Sequence, residues 1–263
     1  RAPVGNGTDL RSPAMTSTSA VPVDPTAPVR ARDVTIAYGD HLAVCDATFT
    51  VPAGRTTAVI GPNGSGKTSL LRAISGLEPI DHGELEVLGG RPGRRREAVA
   101  HVMQTTKVND AVPLTVREVV AMGRYARRGA FGRLRHDDHE AIDVAMARLG
   151  VADVASRHLR ELSGGQRQRV YVAQGLAQGA ELLLLDEPVT GLDIPSQERI
   201  ATAMAEEVAT GRTVVFTTHD LEAAAESDHV LLLATHLVAS GAPDEVLTTE
   251  HLADAYGGGV VET

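Results

Sequence analysis

The sequence predicts an α/β fold: a mainly parallel sheet covered by helices on both faces, with an N-terminal antiparallel β part and a helical subdomain. Three observations carry this reading. Short apolar runs of strand length alternate with helical patterns along most of the chain. A glycine-rich octet, Gly61 to Thr68, joins one of those runs directly to a helix. From about residue 105 to residue 178 the strand signal lapses, and apolar residues recur at helical spacing instead.

The elements follow in order. Residues 1–29 are rich in Pro, Ser, Thr and Ala and lack the apolar core of a secretory signal, so they are expected to form a disordered leader, with Met15 a candidate translation start. The folded domain is expected over residues 30–255, with 256–263 as a tail. Val34 to Tyr38 and Ala47 to Val51 alternate like strands, and Pro52-Ala53-Gly54 is a turn. Thr56 to Ile60 is an apolar, β-rich run, expected as a buried strand that feeds the glycine-rich loop and then a helix from Lys67 to Ile74. Glu84 to Leu88 and Val99 to Gln104 are further strands. Thr115 to Tyr125, Asp137 to Leu149 and Gln166 to Gln178 are the helices of the subdomain, about residues 105–178. Strands return at Glu181 to Asp186, Thr213 to Thr218 and His229 to Leu233, separated by helices at Pro195 to Ala209 and Leu221 to Glu226. Strands alternating with helices imply parallel pairing, with both faces of the sheet covered.

Composition narrows the function. The 263 residues are 43% hydrophobic and 22% charged, which suits a globular domain with a full core. Aromatics are 3% and Trp is absent, so that core must be aliphatic. A net charge of -9 argues against nucleic acid as a partner. Cys45 is the sole cysteine, so no intrachain disulfide can form, and a reducing cytoplasm is the natural compartment. Apolar runs such as Leu182 to Leu185 and Val230 to Ala234 are too short to span a bilayer, so membrane association is expected through a partner.

The chemistry concentrates in a few short stretches. Gly61, Pro62, Asn63, Gly64, Ser65, Gly66, Lys67 and Thr68 fit G-x-x-x-x-G-K-[ST] between a strand and a helix. Glycines there let consecutive backbone N–H groups curl around the β- and γ-phosphates of a nucleotide, and the following helix presents its positive end. Lys67 supplies a mobile positive charge, and the Thr68 hydroxyl is a ligand for Mg²⁺. Leu182 to Leu185 is a buried strand that delivers Asp186 and Glu187 together at its carboxyl end. Asp186 is expected to hold Mg²⁺, and Glu187 to orient or deprotonate an attacking water. His219, Gln104 and Tyr38 stand at strand ends, where they suit a γ-phosphate contact, a Mg²⁺ or water contact, and stacking on adenine. On spacing alone each reads equally well as an ordinary structural residue. Ser163, in LSGGQRQRV, reads as the cap of a helix.

Together these stretches closely resemble the nucleotide-binding subunit of ATP-binding cassette (ABC) transporters, over about residues 30–255. Tyr38 matches the A-loop aromatic, Gly61 to Thr68 with Ser69 the Walker A loop, and Gln104 the Q-loop. Leu162, Ser163, Gly164, Gly165 and Gln166 spell the LSGGQ signature. Leu182 to Asp186 with Glu187 match Walker B, Gly191-Leu192-Asp193 the D-loop, and His219 the H-loop. The resemblance implies a P-loop NTPase (RecA-like) core that binds ATP and Mg²⁺. It implies two copies paired head to tail, each signature closing on the other copy's nucleotide, with Glu187, His219, Lys67 and Gln104 as catalytic groups. It also implies a separate integral-membrane permease, an extracytoplasmic solute-binding protein acting indirectly, and a peripheral position on the cytoplasmic side of the membrane. The stretch Gln104 to Val151 is similar to ATPase subunits that power import of manganese or zinc, with ferric-siderophore or haem import as the alternative. A non-transport ATPase of the same superfamily would usually carry two cassettes or a long coiled coil, and the sequence has neither.

Two further stretches are charged. His136-Asp137-Asp138-His139 looks like a metal cluster, but Asp137 or Asp138 reads better as a helix cap. Arg124, Arg127, Arg128, Arg133 and Arg135 read as a solvated basic face.

Overall fold

The computed structural model describes residues 26–39, 41–104, 113–129 and 132–257. Most of the expected leader, the first residues of the expected helical subdomain and most of the tail therefore lie outside the described residues.

The antiparallel part is built from β1 (Val29–Tyr38), β2 (His41–Val51) and β4 (His82–Val87). Both long strands begin earlier than their apolar alternation suggests. The extra residues of β1 alternate with charge: Arg30 pairs with Glu86, and Arg32 lies 3.7 Å from Glu84 on the neighbouring strand. Such cross-strand pairs hold an edge that hydrophobicity alone does not mark.

The parallel part is β3 (Thr56–Ile60), β5 (Val99–Val102), β6 (Leu182–Leu185), β7 (Thr213–Thr217) and β8 (His229–Ala234). Its spatial order is β8-β3-β7-β6-β5, every neighbour parallel. A further strand, β9 (His236–Gly241), runs antiparallel to β8 and meets β2 at the single pair Cys45–His236. That link makes one continuous sheet of the two parts. The sequence reading misses β9 because it is half-buried along nearly its whole length and shows no period-two pattern.

Alternate residues of the buried strands serve different cores. Leu183, Leu185, Val214 and Phe216 face the helical side. Leu182, Leu184 and Val215 join Leu70, Leu71 and Ile74 of α1 (Lys67–Ser75), together with Phe49 of β2. The helix that follows the glycine-rich loop thus shares a core with both the antiparallel and the parallel parts. The remaining helices are α5 (Ile194–Ala209), α6 (Leu221–Ala225), α7 (Pro243–Val246) and α8 (Thr249–Tyr256). The last two were not expected, although Pro243 in the first turn of α7 and the Thr248 cap of α8 are ordinary start signals. Among the described residues, no helix is long and apolar enough to cross a membrane.

The helical subdomain comprises α2 (Val116–Arg128), α3 (His136–Arg148) and α4 (Gly164–Gln178). The helix-cap reading holds at Asp138, while the solvated basic face fails, and one physical reason underlies both. Arg135 occupies the N-cap position of α3, and the capping group is the side chain of Asp138, in the first turn with no exposed surface. Its carboxylate accepts the Arg135 amide, Arg128 Nε and Arg124 Nε, each at 2.8 Å. Arg124 and Arg127 also donate to the carbonyls of Ala177 and Gly179, at 2.8 and 2.7 Å, at the carboxyl end of α4. A buried acid and the unpaired carbonyls of a helix end draw these arginines inward, so Arg124 and Arg128 belong to no solvated face. Among the described residues, no group of three or more His, Cys, Asp or Glu could hold a metal ion.

Burial alone would raise the Asp138 carboxyl pKa, but the Arg135 amide and the Arg128 and Arg124 guanidiniums outweigh it and hold the acid well below the usual carboxylate range. Removing one partner of a buried ion pair costs about 3–5 kcal/mol. Asp138→Asn should lower chemical stability at neutral pH by roughly that amount. Because the folded-state pKa is depressed, the stabilisation is present above the unfolded carboxyl value of about 4 and is lost as pH falls below it. The variant should therefore show less of the wild-type loss of stability on acidification. Equal denaturation midpoints at neutral pH would remove Asp138 from this role.

Candidate nucleotide-binding site

The glycine-rich loop connects β3 to α1 at the carboxyl edge of the parallel sheet, and two of its glycines are forced. At Gly61 (φ 148°) a Cβ would lie 2.0 Å from the carbonyl oxygen of Leu233. At Gly66 (φ 95°) it would lie 2.2 Å from that of Ala43. Gly66 is also the N-cap of α1, and with no side chain it leaves the first N–H groups of the helix uncapped. Such a helix end, opening on a cleft, is an anion site.

The cleft holds about 300 Å³ and is lined by the loop from Asn63 to Ser69, with Tyr38, His41 and Ala43 from the antiparallel part and Glu187 from the parallel part. Lys67 is 7% exposed, and its Nζ donates to the carbonyls of Gly61 and Pro62 at 2.8 and 2.9 Å. Burial pushes its ammonium pKa down, while the charges of Glu187 and Asp186 push it back up. The Ser65 hydroxyl is buried without a hydrogen-bond partner among the described residues. An unpaired buried hydroxyl beside a buried cation suits an oxyanion that would satisfy both. Tyr38 stands at the rim, 40% exposed, its hydroxyl donating to Ser69 Oγ at 3.2 Å. Sequence reasoning missed His41; its only signal was proximity to Tyr38.

The acidic half of the site stands at the end of β6. Asp186 is 2% exposed, its amide donating to the Val102 carbonyl at 2.9 Å. Glu187 adopts the left-handed backbone (φ 47°) that turns its side chain to the cleft, and its carboxylate oxygen Oε2 accepts from Gln104 Nε2 at 2.7 Å. This bond engages the Nε2 of Gln104 and not its side-chain carbonyl oxygen, the atom a Mg²⁺ or water contact would use.

His219 follows β7 at the same sheet edge and is exposed. Asp193 caps α5, accepting the Ser196 amide at 3.1 Å, and the Ser196 hydroxyl together with this amide lowers its carboxyl pKa. The signature forms the start of α4. Leu162 is buried, and Ser163 caps the helix in a reciprocal box, its Oγ accepting the Gln166 amide at 3.2 Å while Gln166 Oε1 accepts the Ser163 amide at 3.1 Å. Gly164 faces open space, and none of Leu162, Ser163, Gly164, Gly165 and Gln166 lines the cleft of its own chain.

A second cleft of about 330 Å³ lies between β5, α2 and α4, lined by Met103, Met122, Tyr171 and Gln174 among others. Met103 and Met122 are exposed there, and Met103 immediately precedes Gln104 in the chain.

Comparison with known proteins agrees with this geometry. The family described as ABC transporter matches residues 44–190. A manganese transport system ATP-binding protein of Bacillus subtilis is 37% identical over 232 residues, which is 88% of this chain and 93% of that protein. A zinc transport system ATP-binding protein of Treponema pallidum is 38% identical over 236 residues, 89% of each chain. An ATP-binding cassette of an ABC transporter, solved in its ADP conformation, superposes with a TM-score of 0.75 over 88% of this chain and 98% of that one, at 22% identity, and shares the fold. The phosphate loop, the paired acids and the length of these matches lead to one conclusion: the chain belongs to the ABC transporter family, as an ATP-binding and ATP-hydrolysing subunit.

Proposed function

We propose that the chain powers import of manganese or zinc through a separate integral-membrane permease, on whose cytoplasmic face it sits. The observation that carries this is the similarity to manganese and zinc transport ATP-binding proteins across nearly nine-tenths of the chain. The cleft between β5, α2 and α4 supports the permease as partner, since it offers exposed Met103 and Met122, and Met103 is the chain neighbour of Gln104. A solute-binding protein would deliver the metal to the permease without touching this chain.

In this reading Tyr38 stacks on adenine, and the amides from Gly64 to Ser69 with Lys67 hold the phosphates. The carboxylate of Asp186, the hydroxyl of Thr68 and the carbonyl of Gln104 form a hard oxygen set that fits Mg²⁺. When bound, Mg²⁺ neutralises charge on the β- and γ-phosphates. Glu187 orients or deprotonates the attacking water. Its bond to Gln104 holds that carboxylate off the water until the amide moves, which ties catalysis to a residue beside the permease cleft. His219 reaches the γ-phosphate, and Asp193 belongs to the contact between copies. The signature lies off its own cleft with Gly164 open, which supports a second copy closing head to tail over the nucleotide.

The test is reconstitution with the co-purified permease in liposomes. ATP-driven uptake of Mn²⁺ or Zn²⁺ is expected. Uptake of a ferric chelate alone would replace the substrate, and ATP hydrolysis with export from loaded vesicles would reverse the direction.

A further inference from the structure

Between the two acids of the site stands a residue that no motif includes. Thr217 ends β7 and has no exposed surface. Its Oγ1 lies 2.7 Å from Asp186 Oδ1 and 2.7 Å from the amide nitrogen of Glu187. A hydroxyl has one proton to give. The amide can only donate, so Oγ1 accepts from Glu187 and its own proton goes to the carboxylate of Asp186. Both bonds are thereby assigned a direction.

Each bond meets a specific need. Glu187 is a non-glycine residue in the left-handed region, a conformation that persists only where the surroundings over-determine it. The bond to its amide supplies that constraint. Asp186 is almost fully buried, and its Oδ1 would otherwise lack this partner. With Oδ1 accepting from Thr217, the orientation of the carboxylate is tied to β7.

We infer that Thr217 is a positioning residue for ATP hydrolysis: one hydroxyl, on a strand separate from Walker B, fixes the peptide of Glu187 and the rotamer of Asp186 together. It touches neither nucleotide nor water and acts through both acids. The inference rests on the proposed roles of Glu187 and Asp186.

The experiment compares Thr217→Val, which keeps the shape and deletes the hydroxyl, with Thr217→Ser, which keeps the hydroxyl, in the reconstituted transporter. Glu187→Gln is run in parallel. For Thr217→Val, kcat should fall about tenfold, equivalent to ~1.4 kcal/mol. Its KM for ATP should stay within about twofold, because Lys67 and the loop amides that hold the phosphates are untouched. Equilibrium affinity for a fluorescent ATP analogue with Mg²⁺ should likewise hold within about twofold, which also reports that the variant is folded. Thr217→Ser should recover most of the lost turnover. Wild-type kcat in Thr217→Val, or a Thr217→Ser as slow as Thr217→Val, would overturn the inference while Glu187→Gln stays inactive. A fully active Glu187→Gln would instead overturn the reading beneath it.

Discussion

Glu187→Gln is expected to lower ATP turnover by about a hundredfold or more, the scale of a lost general base, while leaving ATP binding intact. The substitution is confined to one atom's chemistry. Thr217 holds Glu187 through its backbone amide, so the left-handed turn at the end of β6 survives. Gln104 donates to a side-chain oxygen that glutamine retains. Lys67, Ser65 and the uncapped start of α1 are untouched. Nucleotide should therefore bind as before, and the copies should close and remain closed. The readouts are phosphate release, which should nearly vanish, and a nucleotide-dependent dimer on sizing, which should persist. Wild-type phosphate release would remove Glu187 from the reaction.

The parts of the molecule legible in sequence are those where one physical demand dominates. β6 and β7 are buried on both faces, so Leu182 to Leu185 and Thr213 to Thr217 read as continuous apolar or β-branched runs. The glycine-rich loop reads correctly because Gly61 and Gly66 have no room for a Cβ. The failures come where the demand is shared with distant residues. β9 is fixed by pairing with β8, not by its own pattern. Asp138 caps α3 as its position suggests, but its second role, as a buried anchor for the arginines of α2, is not visible locally. The bond between Gln104 and Glu187 joins residues from two separate strand ends, and nothing local to either announces it. Thr217 likewise reads only as a β-branched strand residue until its neighbours are placed.

Ser163 is the second position at which a single change should be decisive, and two substitutions separate its two roles. As the cap of α4 it satisfies the Gln166 amide, a bond worth about 1 kcal/mol. In the proposed dimer the same helix start meets the other copy's γ-phosphate, where bare N–H groups and lack of bulk matter. Ser163→Arg removes the cap and fills the space, so hydrolysis should fall by about a hundredfold, the scale of a lost oxyanion donor. That result alone leaves a folding explanation open. Ser163→Asp closes it, because aspartate caps a helix as well as serine does and adds a negative charge where a phosphate must approach. Its thermal stability should match wild type, and ATP binding to the single subunit should be unchanged, since Ser163 does not line its own cleft. ATP hydrolysis and nucleotide-dependent dimerisation should nevertheless both be lost. Normal hydrolysis in Ser163→Asp would mean that the glycines after Ser163 serve the turn alone, and that the nucleotide is completed by some other surface.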